Sequence, residues 1–332
     1  MDHKLSSVIV HLTNACANRC PYCYAYQGGR IVHGNKETIL RIVDELCLAG
    51  VKSVTFLGGD PVLHPDIACF IKHAYNKGLS VSIMSNSMNF GEPLFSDISR
   101  MVSAYETTIH GYDDNSHDNV CGNPGAYRQL VNNLKLISSF DGIIGIAINI
   151  IPSNAQYIYR MVESLVEKEG LRISYIIIQR IVQFGKASGL DDYKLNKDQA
   201  NVALEQIDRI SADFRIKITV EDPFPLCVID EKYHKYMNPC EWGFSKAAVN
   251  SSGELSRCGA DPRCLLGNIL KISINKIWEE SSILHSFRSR NYLPETCRHC
   301  CRRDVCGGGC PLSCEANTDH GIDYLFEEYN KD

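Results

Sequence analysis

Cysteine is the residue type with which this sequence can do the most chemistry. The chain of 332 residues contains 16 cysteines, three of them close together as Cys16, Cys20 and Cys23, and ten of them after residue 226. A chain of this length can bury a large core without disulfides, and its start lacks the pattern of a signal peptide. We therefore expect a reducing, cytoplasmic compartment, in which clustered cysteines are typical of metal centres or catalysis.

The rest of the composition argues against two classes of partner. The formal net charge is −5, which gives no basic field for binding nucleic acid. No run of 18 apolar residues is present, so we predict no membrane span. Apolar residues make up 44% and charged residues 22%, as is typical of a soluble globular protein.

Between the two cysteine-rich regions, strand and helix patterns alternate. Short apolar runs predict strands at 8–12, 51–57, 79–84, 105–109, 143–151 and 173–179. Helical spacing predicts helices at 36–49, 65–77, 94–101, 126–138, 155–168 and 197–212. This alternation predicts an α/β fold with a parallel sheet, either a barrel or a doubly wound sheet, in which ligands bind at the carboxyl ends of the strands. After about residue 223 the alternation stops, which indicates a small domain organised by metal.

The first cysteine group follows the first strand directly. Cys16-Ala-Asn-Arg-Cys20-Pro-Tyr-Cys23 can present three thiolates to one metal centre. Three protein ligands leave one position open on zinc, or one iron free on a [4Fe–4S] cluster. The spacing alone is compatible with both.

The context of this loop resembles the radical S-adenosylmethionine (SAM) enzymes, which carry Cys-x3-Cys-x2-Cys after the first strand, with an aromatic residue, here Tyr22, before the third cysteine. The second strand ends in Gly58-Gly59-Asp60-Pro61, where the family has Gly-Gly-Glu-Pro, and the third ends in Ser85-Asn86-Ser87. The fourth ends in Thr108-Ile109-His110-Gly111, where the family has a Ser-x-Asp-Gly-like turn, and His117-Asp118 and residues 122–127 match later features. The resemblance covers residues 8 to about 220 and implies a partial (β/α)6 TIM-like barrel.

The resemblance also implies a cofactor and the residues that bind it. A [4Fe–4S] cluster on the three loop cysteines would chelate SAM through its free iron, and reductive cleavage would yield a 5′-deoxyadenosyl radical that abstracts hydrogen from the substrate. Gly58 and Gly59 would let the backbone approach the ligand, and Asp60 would pair with its amino group. The remaining predicted cofactor contacts are Tyr22, Pro61, Ser85, Asn86 and Thr108. Cys121, in a predicted loop, stands where an arginine is frequent.

The second cysteine group resembles the SPASM domain of radical SAM peptide maturases. Cys240-x12-Gly253-x4-Cys258 frames a predicted hairpin, and Cys297-x2-Cys300-x5-Cys306-x3-Cys310 precedes Cys314. The resemblance implies a barrel over residues 1–220 and a SPASM domain with two auxiliary [4Fe–4S] clusters over 221–332. It assigns Cys240, Cys258 and Cys310 to auxiliary cluster I, and Cys297, Cys300, Cys306 and Cys314 to auxiliary cluster II.

Two roles in this second region are predicted with alternatives. The fourth ligand of auxiliary cluster I is expected to be Cys227, with His234, Cys264 and an open site as alternatives. Asp261, three residues after Cys258, is a candidate general base for a substrate proton, and a turn carboxylate is the alternative.

Together the two resemblances predict an enzyme that crosslinks a ribosomally made peptide through a thioether or carbon–carbon bond. Its partners would be a peptide or small protein substrate and an electron donor such as flavodoxin or ferredoxin. Since the motifs begin within ten residues of the start, we expect no separate leader-binding domain, so a partner protein would present the substrate or the barrel would read it. The alternatives are a formylglycine-forming sulfatase maturase, a small-molecule radical dehydrogenase and, from another class, a zinc-binding interaction protein.

Overall fold

The computed structural model describes residues 3–25, 29–181, 185–187, 189–261, 264–315 and 323–329. The side chains of residues 314, 315 and 327–329 are outside this description, so the predicted ligand Cys314 is not placed.

A mostly parallel sheet organises the chain. Its order over the described residues is β10-β9-β8-β1-β2-β3-β4-β5-β6-β7. The strands are β1 Ser7–His11, β2 Ser53–Leu57, β3 Ser80–Ser85, β4 Ala104–Ile109, β5 Ile144–Ile150, β6 Tyr175–Arg180, β7 Lys217–Val220, β8 Lys246–Val249, β9 Glu254–Ser256 and β10 Leu265–Asn268. Pairing is parallel from β8 through β1 to β7, and antiparallel between β8, β9 and β10.

Helices connect the parallel strands and cover one side of the sheet. They are α1 Lys36–Leu48, α2 Ile67–Asn76, α3 Glu92–Ile98, α4 Asp114–Cys121, α5 Ala126–Ser139, α6 Ile158–Glu163 and α7 Lys197–Phe214. Six short helices follow in the described part of the second region: α8 Ile274–Glu280, α9 Ser282–Arg288, α10 Glu295–Arg298, α11 Arg303–Cys306, α12 Pro311–Glu315 and α13 Tyr324–Tyr329. Within the described chain, no helix has both the length and the apolar character needed to cross a bilayer.

Burial explains why these segments form a parallel sheet. Six of the seven residues of β5 are buried, because helices pack on one face and the barrel interior lies on the other. On the outer side, α1 buries the apolar stripe Ile39, Ile42, Val43 and Leu46, and Asn35 caps its first turn by accepting a hydrogen bond from Thr38 N. The six strands and the hairpin expected from the sequence are confirmed, as is the barrel-like parallel architecture.

Two of the helices and strands within residues 1–220 were not predicted. The strand β7 has only four residues and begins with the exposed Lys217, so its apolar signal is short. The helix α4, DNSHDNVC, is polar and has little apolar periodicity, but Asp113 and Ser116 form a reciprocal capping box at its start. Cys121, which we expected in a loop, is therefore a buried residue of α4 whose thiol donates to the carbonyl of His117 at 3.2 Å.

Candidate active site

The loop cysteines, defined as Cys16, Cys20 and Cys23, follow β1 at the carboxyl edge of the sheet. Backbone hydrogen bonds hold the segment before Cys16 against the end of β2. Gly59 N donates to Thr13 O and Asp60 N donates to Ala15 O, both at 2.7 Å. The start of the cysteine loop is therefore fixed by the Gly-Gly-Asp-Pro turn of the neighbouring strand.

The two glycines of this turn are required by that contact. A Cβ on Gly58 would lie 2.3 Å from Thr13 O, and one on Gly59 would lie 2.4 Å from Ala15 O. We expected these glycines to admit a ligand; in the structure they admit the backbone that leads into the cysteine loop. We therefore expect these glycines to act on the cofactor through the position of Cys16, and their own contact with it stays a prediction.

Asp60 lies at the centre of a buried hydrogen-bond network. Its side chain is fully buried, and its carboxylate accepts from Ser85 Oγ at 2.7 Å and from Asn89 Nδ2 at 3.2 Å. It also accepts from Val62 N, which caps the turn that begins at Pro61. Burial raises the pKa of this carboxyl group. Asp60 therefore braces the turn, and its pairing with the SAM amino group stays a prediction.

Asn86 connects the end of β3 to the cysteine loop. Its side-chain amide donates to Cys16 Sγ at 3.4 Å, so it contacts a ligand cysteine directly. Thr108 lies near the end of β4 on the same face of that strand as Glu106, and both are half-buried. The contacts of Asn86 and Thr108 with the cofactor stay predictions.

A histidine that the sequence analysis did not assign contacts the loop cysteines. His110 Nε2 lies 3.8 Å from Cys20 Sγ, and its Nδ1 lies 2.7 Å from the Tyr22 hydroxyl oxygen. Burial lowers the pKa of His110 to about 3, with a contribution from the neighbouring His117. Burial therefore favours the neutral form of the His110 ring. Its only sequence signal was its place in the turn where the resembled family carries an aspartate.

The chemistry of the loop cysteines fits an iron–sulfur cluster. Burial, together with the charges of Cys23, Cys121 and Cys16, raises the pKa of Cys20 to about 12. Thiolates that repel one another in this way need a positively charged centre to become stable.

A second set, the inner group, consists of Cys240, Cys258 and Cys310. Cys258 and Cys310 are buried and pack with Leu312. Burial raises the pKa of Cys240 to about 11, and the charge of Cys240 helps to raise the pKa of both Cys258 and Cys310. The structure thus brings together the three cysteines that the resemblance assigned to auxiliary cluster I.

Two residues that we did not single out lie beside the inner group. The Asp222 carboxylate accepts from the Cys310 thiol at 3.8 Å, and burial raises the pKa of Asp222 to about 7. Tyr24 packs against the inner group. Burial raises the pKa of its hydroxyl, and the charges of Cys23 and Cys258 raise it as well. Tyr24 therefore lies between the loop cysteines and the inner group.

A third set, the outer group, comprises Cys227, Cys297, Cys300 and Cys306, which line one cavity of about 240 Å³. Leu226 N donates to Cys306 Sγ at 3.3 Å, which fixes the adjacent Cys227 in this set. Burial raises the pKa of Cys227 to about 11, and Cys306 and Cys297 contribute next. This placement corrects the expectation that Cys227 joins auxiliary cluster I.

The other candidates for the fourth ligand lie in different surroundings. Nε2 of His234 lies 2.9 Å from the carbonyl oxygen of Leu226, and its Nδ1 lies 3.2 Å from a guanidinium nitrogen of Arg302. Cys264 lines a separate cavity together with Asp261. The inner group therefore contains three cysteines and none of the expected fourth ligands.

Asp261 lies in a buried ion pair. It is 2% exposed, and its carboxylate lies 3.7 Å from the buried guanidinium of Arg257. The ion pair gives Asp261 a structural role, and its role as a general base stays a prediction.

A large open space lies between β6 and β7 on one side and β8 on the other. This cavity of about 1050 Å³, the lateral cavity, is lined by Tyr175 of β6, Thr219 of β7 and Lys246 of β8, among others. Cys240 of the inner group also lines it. The space is thus shared by the barrel and the second region.

Comparisons with known proteins agree with this arrangement. A family model described as the radical SAM superfamily matches residues 10–165, and one described as the SPASM iron–sulfur cluster-binding domain matches residues 240–301. The PqqA peptide cyclase of Rhizobium meliloti is 24% identical over 332 residues, covering 92% of this chain and 81% of the relative. The AdoMet-dependent heme synthase of Methanosarcina barkeri is 23% identical over 337 residues, with coverage of 96% and 93%.

Solved structures show the same fold. Streptococcus suis SuiB bound to its precursor peptide SuiA superposes with a TM-score of 0.77 at 13% identity, covering 97% of this chain and 75% of that one. Native anSMEcpe with bound AdoMet and the Kp18Cys peptide gives a TM-score of 0.75 at 15% identity, with coverage of 98% and 95%. Motifs, site geometry and family matches agree on one assignment. The chain belongs to the radical SAM superfamily, and it is an enzyme of that family with a C-terminal SPASM domain.

Proposed function

We propose that this enzyme oxidises a ribosomally made peptide and forms an intramolecular crosslink in it, through a thioether or carbon–carbon bond. The lateral cavity is the observation that carries the proposal. At about 1050 Å³ it is at the upper end of the usual size of ligand pockets, so a peptide segment can enter it. The PqqA peptide cyclases among the relatives, and SuiB with its bound precursor peptide, support a peptide substrate.

Polar side chains on the cavity wall suit a peptide backbone. Tyr175 donates its hydroxyl to Glu106 at 2.7 Å, and Lys246 forms ion pairs with Glu241 at 2.8 Å and Glu221 at 3.4 Å. These groups offer hydrogen bonds to peptide amides, and their mutual pairing keeps them in place before the substrate arrives. We propose that they orient the segment whose hydrogen is removed.

The three cysteine sets would hold the iron. When bound to the loop cysteines, a [4Fe–4S] cluster supplies the electron that cleaves SAM into the radical that abstracts hydrogen. We propose that the inner group, with three cysteines, holds an auxiliary cluster at the cavity wall, which would accept the second electron from the substrate radical while a proton leaves and the crosslink forms. The outer group, with four cysteines, would hold a second auxiliary cluster farther from the lateral cavity.

The test is coexpression with a short peptide encoded beside the gene, followed by mass spectrometry. A crosslink removes two hydrogens from the peptide and blocks fragmentation between the joined residues. The control is a variant with Cys16, Cys20 and Cys23 changed to alanine, which should leave the peptide unmodified. A wild-type enzyme that releases 5′-deoxyadenosine but leaves every neighbouring peptide unchanged would overturn the peptide assignment.

The same experiment separates the crosslink from formylglycine formation, the alternative expected from the sequence. An aldehyde product reacts with a hydrazide probe, whereas a crosslinked peptide does not. Purification from the natural source under anaerobic conditions would test for an electron donor, such as flavodoxin or ferredoxin, and for a leader-binding protein. We propose both as partners.

A further inference from the structure

A chain of three side chains leads from the Tyr22 hydroxyl to a loop cysteine. The Tyr22 hydroxyl lies 2.7 Å from His110 Nδ1, and His110 Nε2 lies 3.8 Å from Cys20 Sγ. The first two side chains are buried, with Tyr22 6% and His110 5% exposed. Water therefore does not compete for these contacts.

The direction of the hydrogen bonds follows from what each atom can do. A cysteine that binds iron is a thiolate, so its sulfur can only accept a hydrogen bond. A neutral imidazole carries a proton on one nitrogen, and the Tyr22 hydroxyl can donate to the other. The arrangement that satisfies all three groups is Tyr22 O–H to Nδ1, and Nε2–H to Cys20 Sγ.

The surroundings hold the imidazole in this orientation. The His110 backbone N–H donates to His117 Nδ1 at 3.2 Å, and the His117 ring packs 5.2 Å from the His110 ring. On the other side the Tyr22 ring lies edge-on to His110 at 5.9 Å. A ring fixed by packing on both sides and by hydrogen bonds loses little entropy in pointing Nε2 at the sulfur.

We propose that His110 is a positioning residue for the radical SAM cluster, which donates its Nε2–H to the Cys20 thiolate and makes the cluster easier to reduce. Tyr22 would act through His110 by fixing its tautomer. Reduction adds negative charge to the cluster and its ligands, and an N–H aimed at a ligand sulfur stabilises that charge. The inference rests on the proposed cluster site at the loop cysteines and is independent of the substrate.

The test is a redox titration of the anaerobically reconstituted full-length enzyme, followed by electron paramagnetic resonance. Added SAM changes the signal only of the cluster that has an open iron to bind it, which identifies the relevant signal. We expect His110→Phe, which keeps a ring in place, to lower the reduced-to-oxidised ratio at a fixed potential about tenfold. For a one-electron couple this is a shift of about 59 mV to more negative potential.

Two further variants and a control keep the result interpretable. His110→Gln retains an N–H donor and should recover part of the shift, whereas Tyr22→Phe removes the hydroxyl and should give a smaller shift than His110→Phe. Tyr193→Phe is the matched control, since Tyr193 packs on the Tyr22 ring at 5.3 Å with no part in the hydrogen-bond chain. It should leave the potential unchanged.

The results that would overturn the inference differ from those that would overturn the proposed cluster site. If His110→Phe binds the wild-type amount of iron and keeps the wild-type potential, the inference is wrong. Equal shifts for His110→Phe, His110→Gln and Tyr193→Phe would show a packing effect and would also overturn it. If the wild-type signal is unaffected by SAM, or survives replacement of all three loop cysteines, the proposed cluster site itself fails.

Discussion

Gly59→Ala should remove the radical SAM cluster while leaving the fold intact. The new Cβ would lie 2.4 Å from Ala15 O and 2.8 Å from Asn14 O, whereas ordinary contact begins at 3.4 Å. Both obstacles are backbone atoms, so no side chain can rotate away. The two segments must separate by about 1 Å, and overpacking of this kind costs about 1–3 kcal/mol.

That separation acts on the cysteine loop in particular. The hydrogen bonds from Gly59 N to Thr13 O and from Asp60 N to Ala15 O are 2.7 Å long, and each weakened bond costs about 1 kcal/mol. A domain of ordinary stability survives such a loss. Cys16, one residue beyond Ala15, would be displaced, and cluster ligands tolerate little displacement.

The assay is iron and sulfide per chain after anaerobic reconstitution, together with 5′-deoxyadenosine released from SAM under reducing conditions. We expect Gly59→Ala to lose about four irons and nearly all SAM cleavage, and to keep the iron of the two auxiliary sites. Gly91→Ala is the control, because a Cβ there would meet only Pro93 Cδ at 3.7 Å. Full iron content and wild-type SAM cleavage in Gly59→Ala would refute the reasoning.

Three further predictions concern the second region. Cys227→Ser should lower the iron content by weakening the outer cluster, whereas Cys301→Ser, at a cysteine of the same cavity outside the outer group, should not; iron analysis distinguishes them. Asp323→Asn leaves the fully buried Arg180 guanidinium without its counter-ion at 2.8 Å, so the free energy of unfolding should fall by about 3–5 kcal/mol in denaturant titrations. Asp261→Asn should lower the thermal midpoint but keep the pH dependence of peptide modification, and loss of the acidic limb of the pH–rate profile would show that Asp261 acts as a base.

Strand periodicity and the cysteine motifs predicted the part of the site that depends on local sequence. The six strands have long apolar runs, and the loop motifs stand where those strands end, so their approximate positions follow from the sheet. What could not be predicted depends on contacts between distant segments. Cys227 joins the outer group because the neighbouring Leu226 N–H bonds to Cys306, 80 residues away, and sequence spacing contains no signal for that contact.

The same limit applies to His110 and Asp261. A histidine in a polar turn is an ordinary loop residue until α4 and Tyr22 pack around it. The sequence around Asp261 likewise contains no signal for its ion pair with the buried Arg257. In both cases burial decides the chemistry, and burial is a property of the whole fold.

The parallel pairing of β1 with β8 has a consequence for biosynthesis. Strand β1 is made before β8, so one of its edges stays unpaired until β8 is made, with Ser6 and Ser245 239 residues apart at the start of the pair. An unpaired edge strand is an aggregation hazard, and such distant contacts form slowly. Because β8 lies between Cys240 and Cys258, closing that edge also sets the positions of two inner-group cysteines. Neither the pairing of β1 nor the inner group can therefore be completed before residues 246–249 have been made.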